Sequence, residues 1–184
     1  GIKKYQWPTL PLALHGVIVR RDGTSVNVCV GEDPDDPVFC VTDLLPHLAD
    51  EQMKRPATEV IKGEDLNLLI GSRPFRDDEG SDLVKLNILK LLHEKYGIVE
   101  ADFLSAELEI VPAFRARDLG FDRSMIAAYG HDDRVCAYPA LTALLALDVP
   151  AYTAVTILAD KEETGSEGNT GMQSAFLRYF IADI

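Results

Sequence analysis

Apolar and polar positions change rhythm several times along this chain. Leu10 to Arg21 alternates in places and is rich in Val, Ile and Leu, Asp22-Gly23 is a turn signal, and Ser25 to Val30 alternates again. That pattern predicts a β-hairpin. Val38 to Val41 and Leu66 to Gly71 predict two further short strands, and Ala106-Glu107-Leu108-Glu109-Ile110-Val111 has the strict alternation of a half-buried strand. Helical spacing intervenes twice. Thr42-Asp43 opens a predicted helix through Leu44, Leu45, Leu48 and Met53, with Pro46 in its first turn. Ser81 caps a second, with Leu83, Leu86, Ile88, Leu89 and Leu92 on one side and a stop at Tyr96-Gly97. A short helical turn is expected over Glu100 to Leu104.

The later part has a different character. Asp133 to Leu147 predicts an Ala/Leu-rich helix, Tyr152 to Ala159 an apolar strand, and Gly171 to Ile184 a closing helix. Pro139 falls inside the first of these and should kink it or shift its start. Strand and helix alternate here as in a sheet covered by helices, so the fold class is α/β, with a β-rich α+β first part. The boundary is placed near Pro112 to Asp118. There is no internal repeat and no low-complexity segment.

Composition narrows the function. The chain has 184 residues, 47% of them hydrophobic, and a formal net charge of −12. Nucleic-acid binding needs clustered Lys and Arg, and anionic membranes need the same, so neither partner is expected. No apolar run approaches the roughly 20 residues that span a bilayer. Cys29, Cys40 and Cys136 are odd in number and sit in apolar surroundings, which predicts buried thiols in a reducing, cytoplasmic setting. No CxxC pair occurs, so a thiolate-built structural zinc site is not expected. The acidic stretch Gly31 to Pro37 has two prolines and lacks EF-hand spacing, and it reads as an ordinary loop.

The candidate chemistry lies in two acidic motifs. Glu162-Glu163 follows the apolar run Ala154 to Ala159 and precedes the turn Gly165-Ser166-Glu167-Gly168-Asn169. Strand ends are where open α/β sheets place ligands, and glycines let the backbone approach closely. One carboxylate can bind a metal while its neighbour takes a proton from water. The plain alternative is a solvated acidic loop. Asp132-Asp133 opens the preceding helix, where one aspartate serves as an N-cap and the second is left for metal.

The strings Tyr129-Gly130-His131-Asp132-Asp133-Arg134-Val135-Cys136-Ala137-Tyr138 and Asp160-Lys161-Glu162-Glu163-Thr164-Gly165-Ser166-Glu167-Gly168-Asn169-Thr170-Gly171 resemble the aspartyl aminopeptidase family, zinc aminopeptidases related to the tetrahedral aminopeptidases. Tyr5 to His15 and Asp43-Leu44-Leu45-Pro46-His47-Leu48 resemble its bacterial members. The likeness runs essentially end to end.

The resemblance implies a metalloaminopeptidase that removes N-terminal residues, acidic ones among them, from peptides. It implies two zinc ions per complete site, with cobalt or manganese as alternatives. Asp132 matches the aspartate bridging the metals, Glu163 a terminal metal ligand, and Glu162 the base that activates the shared water. His15 is similar to a histidine that reaches into a neighbouring subunit's active site. The peptide bond after the bridging aspartate, Asp132–Asp133 here, is expected to be cis. Residues 14–114 would form an inserted dimerisation domain. Residues 115–184, packed with 1–13, would form part of the catalytic domain. Dimers would assemble into a homo-oligomer, a dodecamer in the family. The family's histidine ligands and one acidic ligand have no match, so the chain is expected to be an internal fragment, inactive alone. A non-catalytic assembly module and a related metal-dependent deacylase are the competing expectations.

Overall fold

A computed structural model describes residues 3–76, 80–159 and 171–184. The chain divides into two compact units, Lys3–Tyr129 and Gly130–Ile184.

The predicted hairpin forms. Strand β1 (Leu12–Val19) pairs antiparallel with β2 (Ser25–Val30). Two short strands follow, β3 (Cys40–Val41) and β4 (Leu68–Leu69), paired with each other. Strand β5 (Ala106–Pro112) then returns to the free edge of β1, giving a three-stranded sheet in the order β2-β1-β5. Strand parity divides this sheet into two faces. Ile18, Val28 and Val30 point inward with Ile98, and Leu14, Val26, Leu92, Tyr96, Ala106 and Leu108 pack around them. The other face carries His15, Cys29 and Glu109, which sit directly opposite one another across the three strands.

Helix α1 is a single turn (Asp50–Met53), whereas the sequence predicted a helix from Thr42. The residues before it form a 3-10 turn, Pro46–Leu48, with Leu45 extended at ψ 149. Proline excludes its predecessor from helical geometry. The Asp43 carboxylate also accepts from the Leu44 N–H at 2.8 Å and the Gln52 amide at 2.9 Å, competing with helical hydrogen bonds. Leu44, Leu45, Leu48 and Met53 are all exposed, so no buried face rewards a longer helix.

Helix α2 (Leu83–Tyr96) stops at Gly97 as expected, and the Gly97 N–H donates to the His93 carbonyl oxygen at 2.8 Å. The Arg20 guanidinium donates to the Tyr96 carbonyl oxygen, placing a cation at the negative end of the helix. Asp102 is the one buried charged side chain among the described residues. It lies in the 3-10 helix Glu100–Ser105 and accepts from the Val99 N–H at 2.8 Å and the Arg21 N–H at 3.2 Å, tying that turn to the end of β1.

A hairpin of β6 (Arg117–Leu119) and β7 (Met125–Ala127) stands where the sequence suggested only a boundary. Its turn is held by Asp122, whose carboxylate accepts from the Ser124 N–H and hydroxyl. Most of the hairpin is exposed, so it lacks the one-sided burial that makes strands visible in sequence.

In the second unit, helix α3 (His131–Leu145) starts two residues earlier than predicted, with Gly130 as its N-cap. The irregularity expected at Pro139 instead falls on Asp132 and Asp133, which have non-helical dihedrals. The run Tyr152 to Ala159 forms no strand among the described residues. β-propensity alone makes no ladder without a pairing partner. Helix α4 (Ala175–Asp183) is shorter than the predicted Gly171 to Ile184. The thiols also differ from expectation: Cys29 and Cys136 are exposed and Cys40 half-buried. Cys29 lies on the outward face of β2, where local hydrophobicity does not imply burial.

Gly16 tests the sheet. A Cβ there would overlap the Glu107 carbonyl oxygen and approach Leu108 Cα to 2.9 Å. Gly16→Ala is expected to destabilise the chain by about 3 kcal/mol through overpacking. Gly23→Ala, with φ +84 but nothing within 4 Å, should cost only about 1 kcal/mol of backbone strain. Urea denaturation midpoints of the two variants check the ranking.

Candidate metal and catalytic site

Asp132 and Asp133 sit at the opening of α3, both exposed, and the peptide bond joining them is cis, as the resemblance implied. The helical segment opens at Gly130 (φ 74), but Asp132 and Asp133 have non-helical dihedrals, so regular helix begins only after Asp133. Asp133 faces Cys136. Its carboxylate accepts from the thiol and, with its charge, pushes that thiol up from its ordinary value. Arg134 turns back to donate to the Gly130 carbonyl oxygen at 3.3 Å.

Glu162 and Glu163 lie outside the described residues. Asp132 belongs to the Gly130–Ile184 unit and His15 to Lys3–Tyr129. Among the described residues, Asp132 joins no group of three metal-capable side chains. Its carboxylate fits the role of a hard, negatively charged ligand, but a catalytic zinc ordinarily takes three protein donors. Asp132 by itself is therefore not a complete zinc site among the described residues.

The structure does gather metal-capable groups around His15. Its Nε2 stands 3.2 Å from Glu32 Oε1. That is ion-pair distance without hydrogen-bond alignment, and the nitrogen atom itself is closed off from solvent although the side chain is 30% exposed. Cys29 is the register partner of His15 on β2. The ligand atoms of His15, Cys29 and Glu32 all lie within 4.8 Å of one another.

The loop after β2 builds this arrangement. Gly31 takes φ +108, and a Cβ there would come within 2.9 Å of Ala13 Cα, so only glycine lets the chain turn so close to β1. The Gly31 N–H donates to Asp36 at 3.0 Å; with help from Lys95, this bond holds the Asp36 carboxyl below its ordinary value. Arg115 donates to the Glu32 carbonyl oxygen from Nε at 3.1 Å and from a terminal nitrogen at 2.8 Å. The main chain of Glu32 is thereby clamped. Glu32 and Cys29 were missed as companions of His15 in the sequence. The hairpin register supplies the signal: a turn at Asp22-Gly23 places position 15 opposite position 29.

The whole chain, residues 1–184, matches the family described as Aminopeptidase I zinc metalloprotease (M18). It is 63% identical over 184 residues to a probable M18 family aminopeptidase 1 of Clostridium acetobutylicum. The crystal structure of aminopeptidase I from that organism superposes with a TM-score of 0.87, covering 100% of this chain and 40% of that one. The M18 aminopeptidase structure from Thermotoga maritima gives a TM-score of 0.89 at 49% identity, covering 98% of this chain and 39% of that one. The chain thus spans about 40% of the length of the relatives it matches. With its mixed α/β fold and its match from end to end, the chain belongs to the M18 family of zinc metalloproteases.

Proposed function

We propose that the protein to which this chain belongs is a dinuclear metalloaminopeptidase that removes N-terminal residues, acidic ones among them, from peptides. The family match over residues 1–184, which spans both acidic motifs, carries this reading.

Asp132 would bridge the two metals and Glu163 would bind one of them. When bound, the ions supply Lewis-acid polarisation of the scissile carbonyl and an acidified water. Glu162 would act as the base, taking a proton from the attacking water and passing it to the leaving amine, a role that requires an ionised carboxylate. The exposure of Asp132 at the start of α3, with non-helical dihedrals that keep it out of the regular helix, supports its assignment as a ligand. His15, on the outer face of β1, is proposed to reach the active site of a neighbouring subunit. Residues 14–114 would then be the domain through which dimers form, and 115–184, with 1–13, part of the catalytic domain. A dodecamer built from six such dimers, in the cytoplasm, completes the proposal. Zinc is the family's metal, and cobalt or manganese would suit the same carboxylates.

In the full-length enzyme, Glu162→Gln should keep its metal and lose about 10²–10⁴ in kcat, the usual worth of a positioned base. Metal analysis alongside steady-state kinetics checks this, and near-normal turnover removes Glu162 from the role.

The 184-residue chain alone is expected to hydrolyse no aminoacyl substrate, with or without added zinc or cobalt, because Asp132 and Glu163 supply too few ligands. An assay over a panel of aminoacyl and acyl-amino acid substrates is the measurement. Metal-dependent cleavage by the isolated chain would overturn the assignment of its ligands.

A further inference from the structure

We propose that His15, Cys29 and Glu32 form a second metal site, for a single borderline-soft divalent ion such as zinc, on the outer face of the β2-β1-β5 sheet. It uses none of Asp132, Glu162 and Glu163, so the metallopeptidase reading and this site can fail separately; a metal here would hold His15 on this face, in place of the role proposed for it in a neighbouring subunit.

The donor set is the first argument. An imidazole nitrogen, a thiolate sulfur and a carboxylate oxygen are three ligands that zinc accepts in tetrahedral sites, leaving a fourth position for water or an external group. Bonds of roughly 2.0–2.3 Å separate tetrahedral ligand atoms by roughly 3.3–3.8 Å. The three atoms here already lie within 4.8 Å of one another, so small side-chain rotations close the site.

The second argument is that the frame is fixed. His15 and Cys29 are held opposite each other by the β1–β2 ladder. Glu32 is returned over the same face by Gly31, and its main chain is clamped by Arg115. Neither ligand strand must move for a metal to bind.

The third argument is electrostatic. His15 Nε2 is shut off from solvent with no hydrogen-bond partner, yet it faces a carboxylate oxygen at 3.2 Å. A cation bound at that nitrogen, whether a proton or a metal ion, satisfies the imidazole and the carboxylate together. The carboxylates of Glu32, Asp36 and Asp33 act on Cys29 and would attract a divalent ion, to which the thiol would bind as thiolate.

The test is a cobalt titration of the reduced 184-residue chain, followed in the near ultraviolet for the thiolate-to-cobalt charge-transfer band. One cobalt per chain with that band, displaced by zinc, is the expected result. Cys29→Ser should abolish the band. His15→Ala and Glu32→Gln should each weaken cobalt binding by at least the about 10–100-fold that changes behind a metal's ligands produce. Cys40→Ser, Cys136→Ser and Asp132→Asn should leave the band intact. Far-UV circular dichroism confirms that each variant is folded. Should Cys29→Ser unfold, Glu32→Gln in its exposed loop decides alone. No charge-transfer band in the folded wild-type chain, a band that survives Cys29→Ser, or unchanged affinity in folded Glu32→Gln overturns the proposal.

Discussion

The Lys3–Tyr129 unit depends on β1 being hydrogen-bonded along both edges. A central strand has no freedom of register, because a one-residue slip against either neighbour would turn Ile18 outward and His15 into the core. The constraint is tightest at Gly16, where the β5 backbone passes too close for any side chain. From that one fixed strand follow the inward cluster of Ile18, Val28, Val30 and Ile98, and the outward row of Cys29, His15 and Glu109. The polar attachments reinforce it. Asp102 holds the turn before β5 to Arg21, and the Ser105 hydroxyl donates to the Val19 carbonyl oxygen at 2.6 Å.

What could be read in the sequence follows from where burial is one-sided. The hairpin, β5 and α2 were legible because each has one face on the core and one in water, which imprints the period of 2 or 3.6 on the residues. The segment from Thr42 to Met53 carries a helical spacing of leucines, but those leucines find no core, and Pro46 with Asp43 decides the local geometry. The β6–β7 hairpin is nearly the reverse case. Its pairing is real, but with most of both strands exposed there was no pattern to betray it.

Site residues were legible to a different degree. Asp132 stood out because an acidic pair at a helix start exceeds what a single N-cap needs, and both aspartates lie outside the regular helical geometry of α3. Glu32 was read as one carboxylate in a loop, since nothing local says that Gly31 folds the chain back over β1. Cys29 was read as buried from its apolar neighbours, while strand parity turns it outward. In both cases the missing information was pairing register, a long-range property that enters the sequence only through the turn at Asp22-Gly23.

The placement of β1 between β2 and β5 also sets an order of assembly. The β1–β2 hairpin closes a short loop and can form soon after its residues emerge from a ribosome. The β1–β5 ladder must wait until everything from Arg20 to Ser105 has been made, and it carries the entropy of closing that long loop. In the interval β1 presents a row of unpaired backbone groups along an apolar hairpin, the kind of edge on which chains pair with the wrong partner. The same pairing that fixes the register of the finished sheet thus leaves its central strand half-paired until the last strand has been made.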